Sequence, residues 1–250
     1  MEYCFTCGNY GFPDRECPEC GRRPKSLNLS KLEPEDIEQF SREVKSVKIP
    51  EPYVGNEWSS IKFWRNHSDK LGSEGKPKDK LLEHFVNTLE KVHNIFASGE
   101  VPKKSAIVVA PSTYSKLTWA FSCMQHAIKS KRTVAPFLDT LEAHRLVVLS
   151  SQDPKYKLYG SIDYDSYITS EVLFLTVTKT EYRKHAYSLI QDIFDKRTRL
   201  GLSTFVVSRY SIEELARWDR SGNFIKIKEE SPDENNMKTP VILTYKEAFT

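Results

Sequence analysis

The sequence contains no run of about 18 apolar residues, the length a helix needs to cross a bilayer, so no membrane-spanning role is expected. Its first residues, Met-Glu-Tyr-Cys, lack the basic stretch and following apolar stretch of a secretory leader, and a cytoplasmic protein is expected. An excess of one charge is also missing: 37 Lys and Arg face 34 Asp and Glu, for a formal net charge of +3. That balance is too small to argue for nucleic acid by itself, so any basic surface must be local. The histidines, His67, His84, His93, His126, His144 and His185, form no H-x-x-x-H pair and read as surface or core residues rather than ligands. Disorder is excluded in turn, because 39% hydrophobic and 12% aromatic residues suit a folded core. A chain of 250 residues has room for one or two domains.

Cysteine is scarce and unevenly placed. Of the five, Cys123 stands alone on the apolar face of a helical pattern and reads as core. The other four form two C-x-x-C-G units, Cys4-Phe5-Thr6-Cys7-Gly8 and Cys17-Pro18-Glu19-Cys20-Gly21, with nine residues between Cys7 and Cys17. A reducing compartment disfavours disulfides, which leaves metal as the better reading. Four thiolates suit tetrahedral zinc. Two intervening residues let one tight turn aim both sulfurs at the same ion, and the trailing glycine lets the backbone curl back. Such a module is too small to fold by burial, and zinc supplies the deficit, at about 10–16 kcal/mol apparent for peptides of this type. With all four positions filled, this zinc is structural. Two disulfides or an incidental cluster are the alternatives. Arg22, Arg23 and Lys25 follow the second unit as either phosphate contacts or a solvated basic surface.

Residues 25–78 read as a linker. Glu33 to Val47 is expected to form a polar helix with Ile37, Phe40 and Val44 on one face. Pro50 and Pro52 hold Ile49 to Tyr53 extended, and Leu71 to Lys78 is a loop by composition. Residues 79–230 are regular. Leu81, Phe85, Leu89, Val92 and Phe96 predict a helix over 79–97 that stops at Gly99. Strands are expected at 106–110, 133–137, 172–176, 204–208 and 224–228, with helices around 119–128, 138–146 and 182–193. This alternation predicts an α/β fold, a parallel sheet flanked by helices, with ligands at the carboxyl ends of the strands. Tyr156, Tyr159, Tyr164 and Tyr167, with Asp163 and Asp165, read as a hairpin or packed loop, or as a protein-binding loop. Glu229 to Asn236 is polar, and Val241 to Tyr245, in the expected tail 231–250, reads as a closing strand or a docking tail.

Glycine is scarce where phosphate chemistry would need it. The strand–loop–helix at 106–128 invites comparison with the phosphate loop G-x-x-x-x-G-K-[ST], whose backbone amides, lysine and hydroxyl serve phosphate and magnesium. The chain offers Ala110-Pro111-Ser112-Thr113-Tyr114-Ser115-Lys116-Leu117. Only Lys116 stands in register; Ala110 and Ser115 replace the glycines, Leu117 replaces the hydroxyl, and Thr118 is one position late. The strand Val172 to Leu175 runs on into Thr176 and Val177, with no carboxylate to hold magnesium or prime water.

From about Ile49 to Lys228 the chain resembles the bacterial and phage replicative-helicase loaders, a family of AAA+ ATPases. Ile49-Pro50-x-x-Tyr53 is similar to the segment leading into that fold, and Lys116 matches its phosphate-loop lysine. Phe194-Asp195-Lys196-Arg197 through Gly201-Leu202-Ser203-Thr204, followed by Ser208-Arg209-Tyr210-Ser211-Ile212-Glu213-Glu214-Leu215, resembles the family's helix end, turn, sensor strand and following segment in order. The resemblance implies an AAA+/RecA-like sheet behind an N-terminal zinc ribbon (residues 1–24) and a replicative DNA helicase as partner. Some loaders grip the helicase through such a ribbon. The departures imply lost ATPase activity: Arg209 stands at the sensor asparagine, and Arg217 and Arg220 are placed by no arginine-finger motif. Three readings follow: a helicase-loader-like adaptor without ATPase activity, with single-stranded DNA as a further partner; a weak ATPase holding ATP through Lys116, Ser115 and Thr118; or a zinc-ribbon DNA-binding or transcription-regulating protein on a dead nucleotidase scaffold.

Overall fold

The computed structural model describes residues 34–110, 115–152, 161–177, 183–208, 210 and 241–244. The four expected zinc ligands, the expected strand at 224–228, and Arg209, Arg217 and Arg220 lie outside these residues. The chain divides into two compact units, Met1–Glu100 with Thr113–Lys131, and Val101–Ser112 with Arg132–Thr250.

The described part of the first unit is helical: α1 (Pro34–Ser46), α2 (Ser60–Asn66), α3 (Lys80–Ala97) and α4 (Lys116–Lys129). Phe40 and Val44 of α1 are buried, on the face the sequence indicates. Asp79 caps α3, its Oδ1 accepting from Leu81 N–H at 2.8 Å, so a short acidic side chain satisfies an amide the helix start leaves open. Leu82, Phe85, Val86, Leu89 and Phe96 line its buried face, and Gly99 ends it at φ 87°, a conformation glycine adopts without the Cβ penalty. A Cβ there would also stand 3.2 Å from the Ser130 hydroxyl. Helix α4 is buried almost all round, including Trp119, Phe121, Cys123, Met124 and Ile128.

The segment read as a linker is part of this unit. Trp58 and Phe63 are buried, and residues 53–58 are fastened to α4. Gly55 N–H donates to Gln125 Oε1 at 2.6 Å, Gln125 Nε2 donates to Tyr53 O at 2.9 Å, and Trp58 N–H donates to Ser122 Oγ at 3.1 Å. The Tyr53 and Phe121 rings meet at 4.6 Å. Helix α2, which has no sequence periodicity to announce it, is capped by Ser59, whose Oγ accepts from Lys62 N–H at 3.2 Å.

The second unit is a five-stranded, all-parallel sheet in the order β2-β3-β4-β1-β5, from β1 (Ala106–Val109), β2 (Leu138–Asp139), β3 (Val172–Val177), β4 (Ser203–Ser208) and β5 (Val241–Thr244). Helices α5 (Thr140–Gln152), α6 (Ile162–Thr169) and α7 (Arg183–Arg199) complete it. Strands β1, β3 and β4 are near-continuous apolar runs rather than alternations, the pattern of parallel strands covered on both faces. One core joins Ile107, Val109, Leu173, Leu175 and Val206 of the sheet to residues of α5, α6 and α7. The residues of opposite parity, Val108, Phe174, Phe205 and Val207, are buried too, and Phe174 stacks on Phe205 at 4.7 Å.

Two sequence expectations are corrected here. The strand at 133–137 is a single bridge, Val134 to Val172, because Pro136 has no N–H to continue the ladder; the strand itself is Leu138–Asp139. The tyrosine-rich segment is neither hairpin nor loop at Tyr164 and Tyr167, which are buried on α6. Residues 241–244, in the expected tail, form β5 and pair with β1 from Ala106↔Val241 to Val109↔Thr244.

Candidate functional site

In an open parallel sheet, ligands gather beyond the carboxyl ends of the strands, where the strand order reverses. Here that place is β1, with β4 on one side and β5 on the other. Ala110 continues the ladder, its N–H donating to Ser208 O at 3.1 Å. Among the described residues, the neighbouring strands end in hydroxyls. Thr176 Oγ1 donates to Val207 O at 2.7 Å, and Ser208 Oγ points to Val177 O at 3.5 Å while accepting from Tyr210 N–H at 3.0 Å. Thr140 Oγ1 lies 3.5 Å from Thr176 O. These hydroxyls are turned into the sheet, where they satisfy backbone carbonyls.

Among the described residues, the carboxylate at this edge is Asp139, at the end of β2. Its Oδ1 accepts from Glu142 N–H at 2.6 Å, so it caps α5. Magnesium takes octahedral oxygen ligands, normally one or two carboxylates with water and phosphate oxygens. A pair of hydroxyls engaged with carbonyls and a carboxylate serving as a helix cap do not make that donor set. The described strand ends therefore do not fit a magnesium ion.

The residues expected to meet phosphate open α4 in the other unit. Ser115 precedes the helix at φ 50°, ψ 27°, the left-handed region that glycine occupies freely. The serine thus keeps a backbone turn that a glycine in this register would allow. Its side chain caps no amide of α4. Lys116 is the first helical residue and is buried, with 5% of its surface exposed. Thr118 is half-buried two residues further along the helix. Cys123 is a free thiol without exposed surface, and burial pushes its pKa well up, as a core residue requires.

Two constellations have roles that the sequence did not indicate. The first is Arg197, fully buried at the end of α7. Its Nε donates to Thr204 Oγ1 at 2.9 Å, Nη1 to Tyr167 O at 2.9 Å and Ser170 O at 2.8 Å, and Nη2 to Ser203 O at 2.6 Å. One guanidinium thereby ties the end of α6, the approach to β3 and the start of β4. Burial lowers its pKa to about 10, which leaves it charged at neutral pH, bound to carbonyl dipoles rather than to a carboxylate. Nearby, Tyr164 Oη donates to Asp192 and accepts from Lys196 Nζ, both at 2.5 Å, and burial together with Asp192 raises the tyrosine to about 12. The second lies in the helical unit. His93 Nε2 is 2.8 Å from Ser122 Oγ, and the His93 ring meets His126 edge-on at 5.0 Å. His126 Nε2 stands 3.8 Å from Glu57 Oε1. Burial first, then the neighbouring His126, lowers His93 to about 4, while the nearby His126 holds Glu57 below the usual carboxylate value. His93 is neutral at physiological pH.

No protein-family model and no curated protein matches this chain. Solved structures do resemble it. The DnaC helicase loader superposes with a TM-score of 0.46 at 18% identity, covering 71% of this chain and 97% of that one. A primosome component assigned to Streptococcus pyogenes serotype M3 gives 0.46 at 13% identity, with 72% and 85% covered. The DnaI structure gives 0.41 at 18% identity, with 65% and 84% covered.

Proposed function

We propose that this chain is a DNA-replication adaptor of the helicase-loader kind, one that binds a replicative helicase through its zinc module and does not hydrolyse ATP. The observation that carries the second half is the row of strand ends: Thr176 and Ser208 are engaged with backbone carbonyls and Asp139 caps α5, so among the described residues the edge that should hold magnesium presents no uncommitted carboxylate. Without a metal ligand or a base, phosphoryl transfer loses its main electrostatic stabilisation. The loader half rests on the ordered match from Phe194 to Leu215 together with the four-cysteine module. Cys4, Cys7, Cys17 and Cys20 would hold one structural zinc, and a closed site of that kind serves as a scaffold for contact rather than for reaction.

The test is phosphate release from ATP and magnesium by the purified full-length protein, with and without single-stranded DNA. The reading expects release no faster than the buffer blank. Release above the blank that disappears in Lys116→Ala would refute it. A second reading has one observation in its favour: Ser115 keeps a left-handed turn directly before Lys116, so the chain would hold ATP without turning it over. That reading requires ATP to raise the melting temperature and Lys116→Ala to abolish the rise.

A further inference from the structure

We propose that the amino-terminal edge of the sheet, opposite the strand ends described above, binds the sugar–phosphate backbone of a nucleic acid through Lys103, Lys104 and Arg199. In a parallel sheet every strand starts on the same edge, so the approaches to β1 and β4 lie side by side. Two contacts fix them together: Ser203 Oγ donates to Pro102 O, and Thr204 N–H donates to Ser105 Oγ at 3.0 Å. Lys103 and Lys104 lie between these anchors and are exposed. Arg199, Leu200 and Gly201 form the turn into β4 and are exposed as well, Leu200 by 59%. The turn is held from inside by Arg197 and closed by Gly201 at φ 70°, with open space where a Cβ would stand.

Among the described residues, two of the cations near this edge have a carboxylate partner. Arg132 pairs with Glu171 at 3.2 Å, and the same carboxylate also accepts from Thr133 N–H at 2.9 Å. Lys196 pairs with Asp192 at 3.1 Å. Among the described residues, Lys103, Lys104 and Arg199 have neither an ion pair nor a hydrogen bond, so three exposed cations share this edge without a paired carboxylate. A phosphate polymer fits such a surface because it needs only positioned point charges, and the release of condensed counterions drives its binding. An acidic protein partner would need apolar burial for specificity, and Leu200 alone offers little of that.

The test uses the full-length protein and a fluorescein-labelled single-stranded deoxythymidine oligonucleotide, with anisotropy read across salt. The triple variant K103A/K104A/R199A should bind about tenfold or more weakly at low salt, and its plot of log affinity against log salt should be shallower by about 2, three contacts at about 0.7 each. The charge-preserving K103R/K104R should bind like the parent. Equal affinity and slope in the parent and the triple variant would overturn the proposal, as would a parent that does not bind at the lowest salt. Competition by poly-glutamate as strong as by unlabelled oligonucleotide would assign the surface to an acidic protein and also overturn it. None of these outcomes depends on ATP hydrolysis or on a helicase.

Discussion

Acid should destabilise the helical unit through one residue, His93. Its imidazole is 5% exposed, packed between α3, α4 and the segment carrying Trp58, and bonded to Ser122. The groups facing it are His126 on α4 and Glu57 before α2, with Lys62 of α2 acting on Glu57. Its pKa of about 4 in the folded chain compares with 6.5 when free. Because the folded value is the lower one, the unfolded chain takes up the proton first as pH falls. The stabilising contribution is therefore complete above 6.5 and is lost between 6.5 and 4. The whole difference corresponds to about 3 kcal/mol, of which about 2 kcal/mol is lost by pH 5. Three of the four tryptophans, Trp58, Trp64 and Trp119, belong to the helical unit and Trp218 to the other, so tryptophan fluorescence during urea unfolding reports mainly on the helical unit. At pH 7.5 and pH 5 the parent should differ by about 2 kcal/mol more than His93→Gln does, since glutamine keeps a polar contact to Ser122 without titrating. The same pH dependence in both proteins would refute the reasoning.

Two further outcomes follow from the packing. Replacing Arg197 with Lys removes a fork that serves Thr204, Tyr167, Ser170 and Ser203, and should cost about 3–5 kcal/mol in urea unfolding of the sheet unit; a loss under about 1 kcal/mol would contradict its role as a clamp. Cys123 should resist a thiol reagent in the native protein and react only on unfolding, because its thiol is fully buried and its pKa is raised; prompt labelling of Cys123 under native conditions would contradict the packing of α4.

Much of the fold was legible because its periodic segments are long. Phe85, Leu89 and Phe96 repeat at helical spacing along α3, although Leu81, expected on the same face, is exposed and Leu82 is buried in its place, and the runs at 106–109, 172–177 and 203–208 are apolar enough to require a sheet covered on both faces. Where tertiary contacts decide, the pattern fell silent. Helix α2 is seven residues long, and the residues just before it are held by Ser122 and Gln125, some 70 positions away in sequence. Helix α6 lacks aliphatic residues at regular spacing, and its core contribution comes from two tyrosines. Arg197 looked like one of several cations at a helix end. Only folding shows that Arg199 is exposed and Lys196 reaches Tyr164 and Asp192 while Arg197 turns inward to five carbonyls and a hydroxyl. At the candidate site, the missing glycines and acids were visible in the sequence. What was not visible is that Ser115 keeps a glycine-like turn and that Thr176 and Ser208 spend their hydroxyls on the sheet.

The central claim is that this chain works by contact with a replicative helicase. Affinity purification of the tagged full-length protein from its native cell, followed by mass spectrometry, tests it most directly. The account predicts a replicative helicase in the eluate in amounts comparable to the bait, and its loss when Cys17→Ser removes one of the four proposed zinc ligands while urea unfolding of the α/β unit stays unchanged. A folded, zinc-loaded bait that elutes with no helicase would contradict it.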